Sequence, residues 1–144
     1  MPKVQDDGLP LPQRYGAILT IVIGISMAVL DGAIANVALP TIATDLHATP
    51  ASSIWVVNAY QIAIVISLLS FSFLGDMFGY RRIYKCGLVV FLLSSLFCAL
   101  SDSLQMLTLA RVIQGFGGAA LMSVNTALIR LIYPQRFLGR GMGI

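Results

Sequence analysis

The chain has 144 residues, 58% of them hydrophobic and only 10% charged, too few charges to cover a water-soluble globule of this length. Composition therefore excludes a soluble globular domain and makes this a membrane protein. The formal charge of +3 reports how the chain sits in a bilayer, not an attraction to nucleic acid.

Residues 1–14 contain three prolines and mixed charge and read as a short disordered cytoplasmic tail. Four apolar segments follow, Tyr15 to Leu39, Ile54 to Leu74, Ile83 to Leu100 and Leu104 to Ile132. Each is long enough to span as a helix, the third only just. The expected fold is thus an all-α membrane protein with four transmembrane helices.

Lys3 and Arg14 precede the first span, Arg81, Arg82 and Lys85 lie between the second and third, and Arg130, Arg136 and Arg140 close the fourth. The connections Thr41 to Ser53 and Ser101 to Ser103 carry no Lys or Arg. Positive-inside asymmetry then places both termini and the middle loop in the cytoplasm. Tyr15, Tyr80, Tyr84 and Tyr133 fall at the inner interface and Trp55 at the outer one, as aromatic belts require. Ala17 to Leu30 resembles a signal-peptide core and Ala33-Ile34-Ala35 a cleavage site, but three further spans follow and Asp6 and Asp7 spoil the basic leader. Cys86 and Cys98 lie in or beside the third span and read as packing residues.

The first span carries Asp31 in an otherwise apolar run, with Pro40 expected to stop the helix where the outer loop begins. Asp31 follows fourteen uncharged residues from Ala17, which puts it ~21 Å into a hydrocarbon layer about 30 Å thick. A charge there costs roughly 2.5–3.5 kcal/mol on insertion scales, so intramembrane acids face a bundle interior or a water-filled path. The plain alternative is a neutral, hydrogen-bonded packing residue.

In the outer loop the lone His47 has no Cys or Glu nearby, and a solvated side chain is expected there, not a metal ligand. Thr49, Pro50, Ser52 and Ser53 read as the start of the second helix. Asn58 and Gln61 share a face three residues apart and either join two helices or line a polar cavity. At the inner turn Gly79 permits a sharp reversal, and Arg81 and Arg82 anchor the membrane face. Asp76 follows the negative end of helix two, where a carboxylate requires an answering cation or helix N-terminus.

The third span has no ionisable group beyond Lys85, and its Ser94 and Ser95 can bond back to their own helix. In the fourth, Arg111, Gln114, Gly115, Gly118, Met122 and Asn125 form one polar, small-residue stripe at helical spacing. A close-packing face around Gly115 and Ala119 explains the small residues; the charge on Arg111 calls for more. Arg111 is seven residues below the outer end of its span, ~10 Å, and Asp31 lies ~9 Å below the outer end of its own. The opposite charges are level, so they can meet directly or through water. Pairing favours the carboxylate and desolvation the neutral acid, so a modest rearrangement would switch Asp31 between accepting and donating a proton.

These residues resemble the N-terminal part of a major facilitator superfamily transporter, and in particular the fourteen-helix drug:proton antiporter branch. Leu30-Asp31, Ile34, Asn36 and Val37 to Pro40 resemble that branch's first-helix motif, with Ala33 and Ala35 as departures. Leu74, Asp76, Gly79 and Arg81 resemble the loop motif between helices two and three, with Ser72, Met77 and Tyr80 in place of its usual glycine and two basic residues. Arg111, Gln114, Gly115, Gly117 and Ala119 resemble the fourth-helix motif tied to proton transfer.

The resemblance implies that residues 15–144 are a partial N-terminal transporter domain, with a truncated fifth helix from about residue 139 and the remaining helices supplied by a longer protein. It implies inverted three-helix repeats, so that helices one and four both line the central cavity, and a loop acid that docks on the C-terminal half.

The leading expectation is proton-coupled export of small amphipathic or cationic compounds across a bacterial inner membrane. Asp31 and Arg111 would couple protons, Asn36, Asn58, Gln61, Gln114 and Asn125 line the cavity, Asp76, Gly79, Arg81 and Arg82 gate, and Gly115, Gly117, Gly118 and Ala119 pack helices. Its partners are the lipid bilayer, the small-molecule substrate and protons, with no nucleic acid. No cofactor is expected beyond the proton gradient, and no metal. No constellation of nucleophile, base and orienter, and no phosphate loop, suggests an enzyme. Alternatives are a self-contained four-helix transporter working as a dimer, and a non-transporting remnant or membrane-assembly subunit.

Overall fold

The protein is described here by a computed structural model covering residues 11–132. The first ten residues of the tail, the charges Arg136 and Arg140, Tyr133 and the expected fifth helix lie outside the described residues. Four helices, α1 (Leu11–Asp45), α2 (Pro50–Phe78), α3 (Tyr80–Ala99) and α4 (Leu104–Ile132), account for the secondary structure among them. All four are long and apolar enough to cross a membrane.

The helix ends follow from local chemistry. α2 starts at Thr49, whose hydroxyl accepts from the Ser52 amide at 3.2 Å, with Pro50 in the first turn. α4 starts where the Ser103 hydroxyl accepts from the Met106 amide at 3.2 Å. Gly79 both ends α2 and begins α3 at φ +93°, a conformation in which a Cβ would clash with the backbone.

α1 corrects two expectations. It does not stop at Pro40 but runs through it to Asp45, and it begins at Leu11, so residues 11–14 are helical and not part of a disordered tail. Proline removes one amide donor and crowds the carbonyl four residues earlier, yet helices crossing lipid tolerate it because unwinding would expose several more backbone groups. The real terminus lies five residues on, at Asp45. The amides of His47 and Ala48 donate to the carbonyls of Thr44 and Ala43, at 3.2 and 2.8 Å, with His47 left-handed at φ 49°. Those two bonds are the Schellman closure of a helix end. His47 is therefore a turn residue as well as an exposed one.

α4 is the central helix, packed on α2 on one side and α3 on the other. Glycine makes both contacts close. A Cβ on Gly115 would lie 2.7 Å from the Tyr60 carbonyl oxygen and from the Ala63 Cβ, on α2. One on Gly117 would lie 2.7 Å from the Phe91 amide nitrogen and 3.0 Å from the Gly87 carbonyl oxygen, on α3. On α2, Tyr60 meets Gly115 and Gly75 meets Val124, so α2 and α4 run parallel; on α3, Gly87 meets Ala120 and Cys98 meets Gln114, so α3 and α4 run antiparallel.

The other helices each bury one stripe at spacings of three and four. On α2 it is Ser53, Val56, Tyr60, Ala63 and Ser67, and on α3 it is Tyr84, Gly87, Phe91 and Ser94. α1 buries Ile21, Gly24, Ala28 and Ala35, with Asp31 in the same stripe. α1 is tied down near its start by Tyr84, whose hydroxyl sits against Gly24 and donates to the Thr20 carbonyl at 3.0 Å.

Candidate functional site

Asp31 and Arg111, separated by 80 residues in the chain, form an ion pair with 2.6 Å between Arg111 Nη1 and Asp31 Oδ2. Their side chains are only 9% exposed for Arg111 and 16% for Asp31, so water screens the pair weakly. Gln114 closes a ring around it. Its Nε2 donates to Asp31 Oδ1 at 2.9 Å, and its Oε1 accepts from Arg111 Nη1 at 3.0 Å. Gln114 lies one helical turn beyond Arg111, which lets both side chains reach the same carboxylate.

Two more side chains complete the cluster. The Cys98 thiol of α3 lies 3.7 Å from Gln114 Oε1. The ring of Tyr60 on α2 carries the Arg111 guanidinium over its face, 5.9 Å from the centroid. Every one of the four helices thus contributes a side chain to this polar node. Breaking such a pair by removing one partner leaves a buried charge uncompensated, a penalty of about 3–5 kcal/mol.

The other candidates are placed differently. Asn36 is exposed and its amide donates to the Gly32 carbonyl on its own helix at 3.0 Å. Asn58 and Gln61 are exposed on the side of α2 away from its buried stripe. Asn125 is half-buried with an Oδ1 that has no hydrogen-bond partner among the described residues. None of these four is among the side chains that meet Asp31 and Arg111.

Within the stripe on α4, Arg111, Gln114, Gly115 and Gly118 are buried, whereas Met122 is exposed. Gly117, Ala119, Ala120, Leu121 and Val124 are buried as well, because a helix covered on two sides buries more than one stripe. Cys86 is exposed and Cys98 half-buried, and both are free thiols.

At the α2–α3 turn, Asp76, Arg81 and Arg82 are exposed. The answering donor for Asp76 in this body is the Tyr80 hydroxyl, one turn further along the chain. Tyr80 is one of the departures noted in the loop motif, and its aromatic hydroxyl answers the carboxylate where a cation or a helix N-terminus was expected. Its ring also lies over Gly75, where a Cβ would come within 2.9 Å.

Tyr60 was not singled out from the sequence, and Cys98 reads there only as a packing residue. A signal existed for Tyr60, which falls in register with Ser53, Val56, Ala63 and Ser67. Cys98 had none, since only the crossing of α3 over α4 brings it to Gln114.

A family model described as Major Facilitator Superfamily matches residues 21–144. The chain is 99% identical, over its full length, to 32% of the uncharacterized transporter YebQ of Escherichia coli (strain K12). It is 34% identical over 93% of its length to 29% of the riboflavin transporter RibZ of Clostridioides difficile (strain 630). It is 39% identical over 80% of its length to 24% of the putative multidrug resistance protein MdtD of Salmonella paratyphi B (strain ATCC BAA-1250 / SPB7). The chain therefore spans about a third or less of the length of these relatives.

Proposed function

The chain belongs to the major facilitator superfamily, and from that premise we propose that it is the N-terminal segment of a proton-driven exporter of small amphipathic or cationic compounds. One observation carries the reading. A carboxylate, a guanidinium and a bridging amide are buried together where four apolar helices meet, and a membrane interior keeps such groups for function. The likeness to a putative multidrug resistance protein supports the class of cargo.

In this reading Asp31 carries the proton and Arg111 sets when it does so. With the carboxylate ionised, Arg111 and Gln114 hold it and α1 is drawn to α4. When a proton reaches Asp31, the charge attraction disappears and one acceptor oxygen becomes a hydroxyl, so α1 is released. Alternating exposure of Asp31 to the two sides then couples proton entry to cargo exit. Gln114 lines the cavity from within the node, while Asn36, Asn58, Gln61 and Asn125 offer polar contacts to cargo or to the rest of the transporter. Gly79 is the hinge of a gating turn, Arg81 and Arg82 face the cytoplasmic headgroups, and Asp76 docks on a later helix in the outward-facing state. The N-terminus is cytoplasmic and the membrane is the bacterial inner membrane, as the loop charges favour.

A second cargo reading, a planar vitamin-like solute, is favoured by the likeness to the riboflavin transporter. Both are tested in inside-out vesicles containing the intact transporter. An imposed proton gradient is expected to drive uptake of a cationic dye, and Asp31→Asn to abolish it. Unchanged gradient-driven uptake in Asp31→Asn would refute the proton-carrier assignment. Gradient-driven uptake of riboflavin but not of dye would select the second cargo.

A further inference from the structure

Tyr60 stands where Arg111 needs an alternative. Arg111 Nη1 spends its hydrogen bonds on Asp31 Oδ2 and Gln114 Oε1. Protonating Asp31 removes the charge that answers the guanidinium, and a buried cation left alone is costly. Among the described residues, the side chains facing it from the four helices are Asp31 from α1, Tyr60 from α2, Cys98 from α3 and Gln114 from α4. Asp31 is the acid being neutralised, and Gln114 and the Cys98 thiol are uncharged. The electron-rich ring face of Tyr60 is what remains to answer a cation, and a guanidinium within about 6 Å of a ring centroid is attracted to it.

The ring is also held in place. The Tyr60 main chain lies against Gly115, and its hydroxyl comes within 3.1 Å of where a Cβ on Gly118 would sit. Those two glycines, one and two turns past Arg111, open a trough along α4, and the tyrosine fills it. Tyr60 is buried, so the ring cannot swing out without leaving the trough empty.

We propose that Tyr60 is the positioning residue for Arg111, its ring face holding the guanidinium while Asp31 carries a proton. This rests on the reading of Asp31 as the proton carrier. The ring attracts the guanidinium whether or not Asp31 is charged, but its negative face opposes the neighbouring carboxylate only while that is ionised, so on balance it favours the state with Asp31 neutral and Arg111 still charged. Removing the ring's negative face makes that state harder to reach, so Asp31 takes up its proton only at lower pH.

The test titrates Asp31 in the intact transporter reconstituted in lipid, following its protonated carboxyl stretch by difference infrared spectroscopy and identifying the band by its loss in Asp31→Asn. Tyr60→Phe keeps the ring face and is expected to titrate close to the natural protein. Tyr60→Leu removes the face, and its midpoint is expected to move to lower pH by about half to one unit, given the usual strength of such contacts. Pentafluorophenylalanine at position 60 keeps the ring's shape but drains its face of negative charge, and is expected to move the midpoint the same way even if the leucine variant fails to fold. A pentafluorophenylalanine variant that titrates with Tyr60→Phe, or above it, overturns the proposal. So does a Tyr60→Phe shift as large as that of the fluorinated ring, which would assign the effect to the hydroxyl. If the natural protein shows no band that Asp31→Asn removes, the proton-carrier reading falls and this inference with it; a band that titrates but ignores the ring overturns the inference alone.

Discussion

Asp31 and Arg111 interact with little competition from water, and each is buried enough that its partner determines whether it is tolerated. Replacing one of them strands the other. Asp31→Asn leaves Arg111 charged without an anion, and Arg111→Gln leaves Asp31 without its cation, so each single substitution is expected to cost about 3 kcal/mol or more. The double substitution is expected to be more stable than the sum of the two predicts, with a coupling of about 1–3 kcal/mol. Thermal melting of the intact transporter in detergent, natural and in the three variants, measures it. Additive losses would mean the two charges do not depend on each other. At this scale the common depth of the pair, and so that the two can meet, was legible from chain arithmetic alone, because helix rise converts residue number into depth. The roles of Tyr60 and Cys98 were not, because depth says nothing about which way a helix is rotated.

Among the helices, α4 carries the architecture. Its glycines admit backbone on both sides, Gly115 toward α2 and Gly117 toward α3, in the close approach that replaces the hydrophobic effect as the driving force in lipid. A methyl group at Gly117 meets the main chain of α3 at 2.7 and 3.0 Å, and main chain cannot step aside as a side-chain tip can. Gly117→Ala is therefore expected to destabilise by about 1–3 kcal/mol. Gly16, on α1, has nothing within 4 Å of where its Cβ would be, so Gly16→Ala is expected to be neutral or to stabilise by up to about 1 kcal/mol through helix propensity. Melting temperatures of the two variants should move in opposite directions, or only the first should move. The element boundaries were less legible than the elements. Pro40 is a sound stop signal in water, but a lipid-crossing helix continues through it and ends instead in the Schellman turn at His47.

For the whole molecule, the positive charges predict a polarity across the bilayer. The α1–α2 connection, which holds His47, is expected outside and the α2–α3 turn, which holds Arg82, inside. In a variant of the intact transporter without Cys86 and Cys98, His47→Cys is expected to react with a membrane-impermeant maleimide applied to spheroplasts. Arg82→Cys is expected to react only in inside-out vesicles. The opposite pattern would invert the topology and with it the direction of the proposed transport. In the proposed cycle polarity also bears on the node, since Asp31 and Arg111 lie within the spans, where a proton would change sides only through the protein.

Apolar run length, loop charge and three ordered motifs determined, without coordinates, that this chain is an all-α membrane body whose first and fourth helices carry opposite charges at one depth. These are one-dimensional properties, and bilayer thickness turns them directly into geometry. Tertiary structure decided which face of each helix turns inward. It put Gln114 between the two charges, brought Tyr60 and Cys98 to them, and left Asn36, Asn58 and Gln61 outside. Helix rotation depends on which small residues let two backbones approach. That is a property of pairs of helices, which no single stretch of sequence contains.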